Sequence, residues 1–251
     1  MKDVSTFDLV AYVVLPYAAM TTFVVGHIWR YRFDRFGWSS RSSELYERKW
    51  LSIGGPMFHY GAFMVIGGHI LGIVIPESFT EALGITESQY TLVAQIGGVT
   101  GLTICVIGLA ILLIRRVVNG RVRRATSRTD VAAMTMLWLM VILGTITTVG
   151  YNVLGPGYNY RPSVAVWWRS ILMFQPDPAA LSGVPTIYLL HISIAWFFFA
   201  LFPFTRLVHA WSAPVTYLTR PYVVYRRRDP SMPHVPGTSR TWDTIGRDSH
   251  R

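Results

Sequence analysis

Five histidines, His27, His59, His69, His191 and His209, lie within or at the end of long apolar segments of the 251-residue chain. An ionisable side chain at membrane depth is costly and marks a functional site by default. His27 stands alone and reads as a hydrogen-bonded packing residue. The other four come as pairs, His59 with His69 on one apolar segment and His191 with His209 on another or at its immediate end. When the two segments cross a membrane in opposite directions, His69 and His191 share one level and His59 and His209 the other. Each level then offers two imidazoles to one metal centre. Ten residues make about 15 Å of helix and eighteen about 27 Å, which puts the two centres on the order of 20 Å apart. Eighteen residues at about 100° each make five turns, so His191 and His209 are expected on one face of their helix. His59 and His69 are offset by about 80°, which tilted helices and a large planar ligand absorb.

What is missing selects the centre. The segments that carry these pairs, and the apolar segment after the first of them, contain no Asp or Glu. A di-iron carboxylate site or a proton relay therefore lacks its ligands. Two histidines per level are too few for a closed zinc site, which wants four protein donors. The single cysteine, Cys105, excludes a disulfide framework, a CxxC redox pair, a Cys-ligated iron–sulfur cluster and covalent haem attachment; inside an apolar segment it reads as packing. Two axial imidazoles complete the coordination of a non-covalently held haem and leave no open position, which suits electron transfer. The centre that remains is a haem at each level, two haem b in all. Gly67, Gly68 and Gly72 around His69, with Gly97, Gly98, Gly101 and Gly108 on the next segment, would let a macrocycle approach the backbone. Ordinary small-residue helix packing accounts for the same glycines. Arg206, three residues before His209, reads as snorkelling to the membrane surface or as a partner for a haem propionate.

Such pairs need long helices to hold them. The chain is 51% hydrophobic and 14% charged, against roughly a quarter charged in a soluble domain. Its apolar residues fall in blocks at 7–29, 51–75, 90–114, 131–150 and 184–204, each long enough to cross a bilayer core. The fold class is all-α, a polytopic membrane protein of five transmembrane helices, with no internal repeat of the kind inverted-repeat transporters carry. Of the 23 Lys and Arg residues, 20 lie in 30–50, in 115–130 and from Arg206 onward, and three lie elsewhere. The positive-inside rule makes those regions cytoplasmic and places the N-terminus, 76–89 and 151–183 outside. The net charge of +10 is thus an orientation signal and calls for no nucleic acid. The first segment follows Asp3 and Asp8 without the basic n-region of a cleavable signal, and reads as a retained helix in the cell membrane.

The long segment 151–183 has turn-rich ends, GPGYNYRP and QPDPAALSG, around VAVWWRSILMF, where Trp167 and Trp168 suggest a segment lying at the lipid headgroups. The expected organisation is a membrane domain over 1–220 and a basic, Pro/Arg-rich cytoplasmic tail over 221–251. That tail reads either as an arm for a cytoplasmic partner or acidic lipid, or as a solvated end.

The segments SSRSSELYERKW, FHYGAFMVIGGHILGIVIP, GGVTG, RRATSRTDV and LFPFTRLVHAWSAPVTYLTR carry a family resemblance. The chain resembles the gamma subunit of membrane-bound respiratory nitrate reductase from residue 1 to about 228, most specifically over Phe202–Arg220. The resemblance implies a five-helix cytochrome b that oxidises quinol near its outer haem and passes electrons inward. Its implied partners are a cytoplasmic iron–sulfur beta subunit and a molybdenum-cofactor alpha subunit. On that pattern His69 and His191 ligate the outer haem iron, and His59 and His209 the inner one. Family members can carry a lysine, associated with the quinol site, in the stretch entering the third span; here Gln89, Tyr90 and Thr91 stand there. Two other readings stay open at this point. One is a dihaem cytochrome of a sulfur-cycle or heterodisulfide-type complex; the other is a transporter or channel that moves protons on histidines. A topology reporter fused after Arg228 is expected to register the cytoplasm, and one inserted within 76–89 the outside; the charge distribution is incompatible with the reverse.

Overall fold

The structure, a computed structural model, describes residues 5–38, 42–211 and Thr219. The proposed tail, 221–251, lies outside the described residues. Helix α1 is Thr6–Phe33, α2 Lys49–Val74, α3 Glu77–Ala82, α4 Glu87–Val118, α5 Gly120–Arg124, α6 Arg128–Val153, α7 Val164–Leu172 and α8 Thr186–Leu201. No strand occurs among the described residues. The five long apolar helices α1, α2, α4, α6 and α8 match the five blocks expected from the sequence, most of them a turn longer at their ends.

Three of these helices start in the same way. Ser5, Thr86 and Ser127 each cap a helix while the residue three positions on, Asp8, Gln89 and Asp130, returns a side-chain bond to the cap backbone. This box satisfies two of the bare amides that begin any helix. Gln89, which stands in the stretch where relatives can carry a lysine, is engaged in that box, its Oε1 accepting from the Thr86 amide at 3.0 Å.

The most extensive helix contact is between α2 and α4. Glycines permit it: a Cβ on Gly61 would run into the Cys105 backbone, and one on Gly108 into the Phe58 backbone. Cys105 is buried in this contact, the packing role expected of it. Without a hydrophobic force between helices in lipid, such close backbone approach is a principal source of association.

A second core joins α1, α7 and α8 through Tyr12, Ala19, Trp167, Ile171, Tyr188 and Trp196. Trp167 is fully buried and donates its Nε1–H to the Tyr12 carbonyl at 3.0 Å, while Trp168 stacks on Trp196 with ring centroids 5.0 Å apart. One face of α7 is packed into this core, its tryptophans finding partners on two long helices, while Val166 and Leu172 stay exposed.

Helix α8 does not run on to His209. It ends at Leu201, gives a 3-10 turn over Phe202–Phe204, passes through Thr205 in extended geometry (φ −118°, ψ 177°) and resumes as 3-10 turns over Arg206–Trp211. Pro203 lacks the amide a continuing helix needs. The buried Arg30 of α1 takes the released carbonyls, donating to the Pro203 and Thr205 oxygens at 2.7 and 2.8 Å and to the Gly37 oxygen at 2.8 Å. Gly61→Val or Gly108→Val is expected to destabilise the protein by about 2 kcal/mol or more, as overpacking against a backbone that cannot yield. Gly120→Ala, with open space around it, should leave the denaturation midpoint in detergent unchanged.

Candidate functional site

The four histidines meet in two pairs. His69 of α2 and His191 of α8 have ring centroids 6.2 Å apart with planes at 34°. His59 of α2 and His209, beyond the break, have centroids 6.0 Å apart with planes at 74°. Nδ1 of His59 donates to the Gly55 carbonyl, Nδ1 of His69 to the Val65 carbonyl and Nδ1 of His209 to the Arg206 carbonyl, each at 2.7 Å. A carbonyl only accepts, so Nδ1 carries the proton in all three and Nε2 keeps its lone pair for a metal. Metal-bound histidines typically show this tautomer, with the second ring nitrogen donating to a carbonyl. His191 differs, its Nδ1 being buried with no hydrogen-bond partner among the described residues.

The spacing fits one octahedral metal between each pair. With metal–imidazole bonds of about 2.0–2.1 Å on opposite sides, two ring centroids stand about 6 Å apart, as both pairs do. Among the described residues no group of three or more His, Cys, Asp or Glu gathers that could hold a bare metal ion. Each level offers two imidazoles, so a metal held there would need its other ligands from a group such as a macrocycle. Gly67, Gly68 and Gly97 have nothing within 4 Å of where a Cβ would sit, which leaves room for such a ligand along α2 and α4.

Other details depart from the sequence reading. Because α8 ends at Leu201, His191 and His209 do not share one face of a continuous helix; the two levels are set by the ten-residue spacing on α2, about 15 Å. Gly101 and Gly108 pack against α2 and are no part of a cofactor space, and Gly72 lies against the Tyr160 and Tyr90 hydroxyls. Arg206, read from the sequence as snorkelling or as a propionate partner, forms a two-point ion pair with Asp130, Nε to Oδ1 at 2.6 Å and Nη2 to Oδ2 at 2.5 Å. His27 meets none of the other described histidines. Its Nδ1 bonds the Phe23 carbonyl at 2.6 Å and its ring sits among Phe23, Trp38, Phe202 and Trp211, as a packing residue would.

The His69 level carries polar residues that sequence reasoning did not single out. Arg161, 3% exposed, lies over the Tyr90 ring at 3.8 Å, pairs with Glu87 at 2.8 Å and donates to Thr80 Oγ1 at 2.7 Å. The Tyr90 and Tyr160 hydroxyls are 3.0 Å apart. Burial and the Tyr90 hydroxyl push the Tyr160 phenol well above its usual range, so it stays protonated. Arg169 of α7 donates to the Ile73 carbonyl at 2.9 Å, in the π-helical turn that follows His69. The signal for Arg161 and Arg169 was available: they are the two basic residues in a region where such residues are scarce.

Comparison with known proteins agrees with this architecture. A match to the family described as nitrate reductase gamma subunit covers residues 8–228. The nitrate reductase gamma chain of Bacillus subtilis is 43% identical over 216 residues, 86% of this chain and 96% of that one. The respiratory nitrate reductase 1 gamma chain of Escherichia coli is 32% identical over 216 residues, 86% and 95% of the two chains. The nitrate reductase-like protein NarX of Mycobacterium tuberculosis is 45% identical over 218 residues, and there the match spans only 33% of the relative's length. With gamma chains matched along nearly their whole length and the family covering all five long helices, the chain belongs to the nitrate reductase gamma subunit family.

Proposed function

We propose that the chain is the membrane anchor and quinol-oxidising, electron-transfer subunit of a respiratory nitrate reductase in the cell membrane. The observation that carries this reading is the pair of facing imidazoles repeated at two depths, at the spacing one six-coordinate metal requires. Two haem b held there would supply one-electron centres with no open coordination position. His69 and His191 would hold the outer one, His59 and His209 the inner one. Carbonyls at Gly55, Val65 and Arg206 fix three of these rings in the tautomer that presents Nε2.

Quinol oxidation, placed near His69, gives up two protons and two electrons. Gly72, one turn beyond His69, opens the helix surface to the Tyr90 and Tyr160 hydroxyls, which offer hydrogen bonds to a quinol hydroxyl. Arg161, paired with Glu87, brings a guanidinium to this level, reaching Tyr90 from the α6–α7 loop. With the N-terminus outside and the C-terminus cytoplasmic, protons leave on the outer face while electrons move inward. A cytoplasmic iron–sulfur beta subunit accepts them and a molybdenum-cofactor alpha subunit reduces nitrate to nitrite. Charge is thereby separated across the membrane, and nitrate is not reduced in this chain.

The assembled complex is expected to show two b-type haems with bis-imidazole spectra. His59→Ala or His209→Ala should remove one haem, and His69→Ala or His191→Ala the other; loss of the same haem from His59→Ala and His191→Ala contradicts the pairing. His69→Ala should also abolish quinol-driven nitrate reduction while sparing nitrate reduction from an artificial soluble donor. Quinol turnover at the parent rate in that variant would move electron entry to the inner haem.

A further inference from the structure

His209 is the one member of the two pairs that no long helix carries. Its ring is aimed by a short 3-10 segment, Arg206–Trp211, through the bond from Nδ1 to the Arg206 carbonyl. Two contacts fix that segment. On one side Arg30 holds the carbonyls of Pro203 and Thr205. On the other, Asp130 grips the Arg206 guanidinium with both carboxylate oxygens. Asp130 is itself well held: it is 4% exposed, sits in the first turn of α6 and accepts the Ser127 amide at 2.9 Å in the capping box. Arg116 of α4 approaches the same carboxylate at 4.0 Å. A rigid line therefore runs from the start of α6 through Asp130 and Arg206 to the His209 imidazole.

We infer that Asp130 is a positioning residue for His209, acting through Arg206, and that it sets the orientation and donor strength of one axial imidazole of the inner haem. The inference rests on the dihaem reading above. A carbonyl held against Nδ1–H raises the basicity of the ligating nitrogen, and a more basic axial ligand favours the ferric state. The ferric state also carries one more positive charge than the ferrous, so a nearby carboxylate favours it. Neutralising Asp130 removes the charge and slackens the carbonyl together, and both effects push the inner haem toward easier reduction. The outer haem, held by α2 and α8 without this line, is left alone.

The test uses the full chain assembled with its partner subunits in membranes, comparing the parent with Asp130→Asn and Asp130→Glu. Optical redox titration and EPR of the ferric low-spin signals read each haem separately; EPR responds to the angle between axial imidazole planes. Asp130→Asn is expected to shift the inner haem's one-electron reduction equilibrium about tenfold toward the ferrous state, or about 59 mV, and to move its EPR signal while the outer haem's values stay fixed. Asp130→Glu, which restores the charge and one contact to Arg206, should recover part of the shift. Equal loss of both haems with unshifted potentials for what remains would make Asp130 a mere stability residue and overturn the inference. So would unchanged values at the inner haem, or a shift toward the ferric state. A parent complex without two haems would instead overturn the dihaem reading itself.

Discussion

A helix inside a bilayer cannot stop without exposing carbonyls that lipid will not satisfy, at several kilocalories per mole each. Helix α8 stops at Leu201 nonetheless, and the second pair of imidazoles exists because it does. Arg30 makes the stop tolerable: one planar guanidinium, fully charged at any relevant pH, takes the carbonyls of Pro203 and Thr205 and also that of Gly37. Gly26, one turn earlier on α1, lets Pro203 come close enough for this, since a Cβ there would strike the proline ring. The chain can then turn through Thr205 and bring His209 back to within 6.0 Å of His59. Without the clamp, the turn would carry bare carbonyls in a low-dielectric setting, and the His59 level would lose its geometry before any ligand arrived.

The same residue type closes the other connections. Arg115, at the end of α4, ties down the segment before α2 by pairing with Glu47 and donating to the Ser43 and Glu47 carbonyls. Burial acts to raise the Glu47 pKa, and the Trp50 amide and Arg115 outweigh it, so the carboxyl stays ionised below the usual range. Arg161 joins the α6–α7 loop to Glu87 and Thr80, and Arg169 holds the last turn of α2. Planar forks of five donors suit this work, since each can meet several carbonyls or both oxygens of a carboxylate. Arginines on both sides of the long helices thus fasten the loops by their geometry.

Much of this was legible in the sequence because the membrane restricts what apolar segments are allowed to contain. His59, His69, His191 and His209 stand out against spans free of Asp and Glu, and alternate crossing directions were enough to choose their partners. The break after Leu201 was signalled by Pro203 and missed because the eighteen-residue spacing happened to make five whole turns. Asp130 was hidden for a different reason. Its local pattern, a serine followed three residues later by an acid, already explains itself as a helix cap, and the pairing with Arg206, 76 positions away, leaves no local trace. The packing of Trp167 and Trp168 was not legible because the same rings serve a headgroup boundary or a dry core, and only the neighbours on α1 and α8 show what they touch.

The locking of α2 to α4 has a consequence for how the molecule is built. Those helices are joined by a short connection and meet through Gly61 and Gly108, so they form a local hairpin whose contacts cost little loop closure. His59 and His69 both ride on that hairpin. Their partners, His191 and His209, come from the last long helix among the described residues and the turns beyond it, more than a hundred residues away in sequence. Whatever ligand joins each pair therefore ties an early-made scaffold to the end of the polypeptide, and it cannot be fully seated until that end has been synthesised and folded back. Loading of a cofactor at these pairs would then be the closing step of assembly, and an incompletely made chain, with half of each pair, would have no means of trapping one in the membrane.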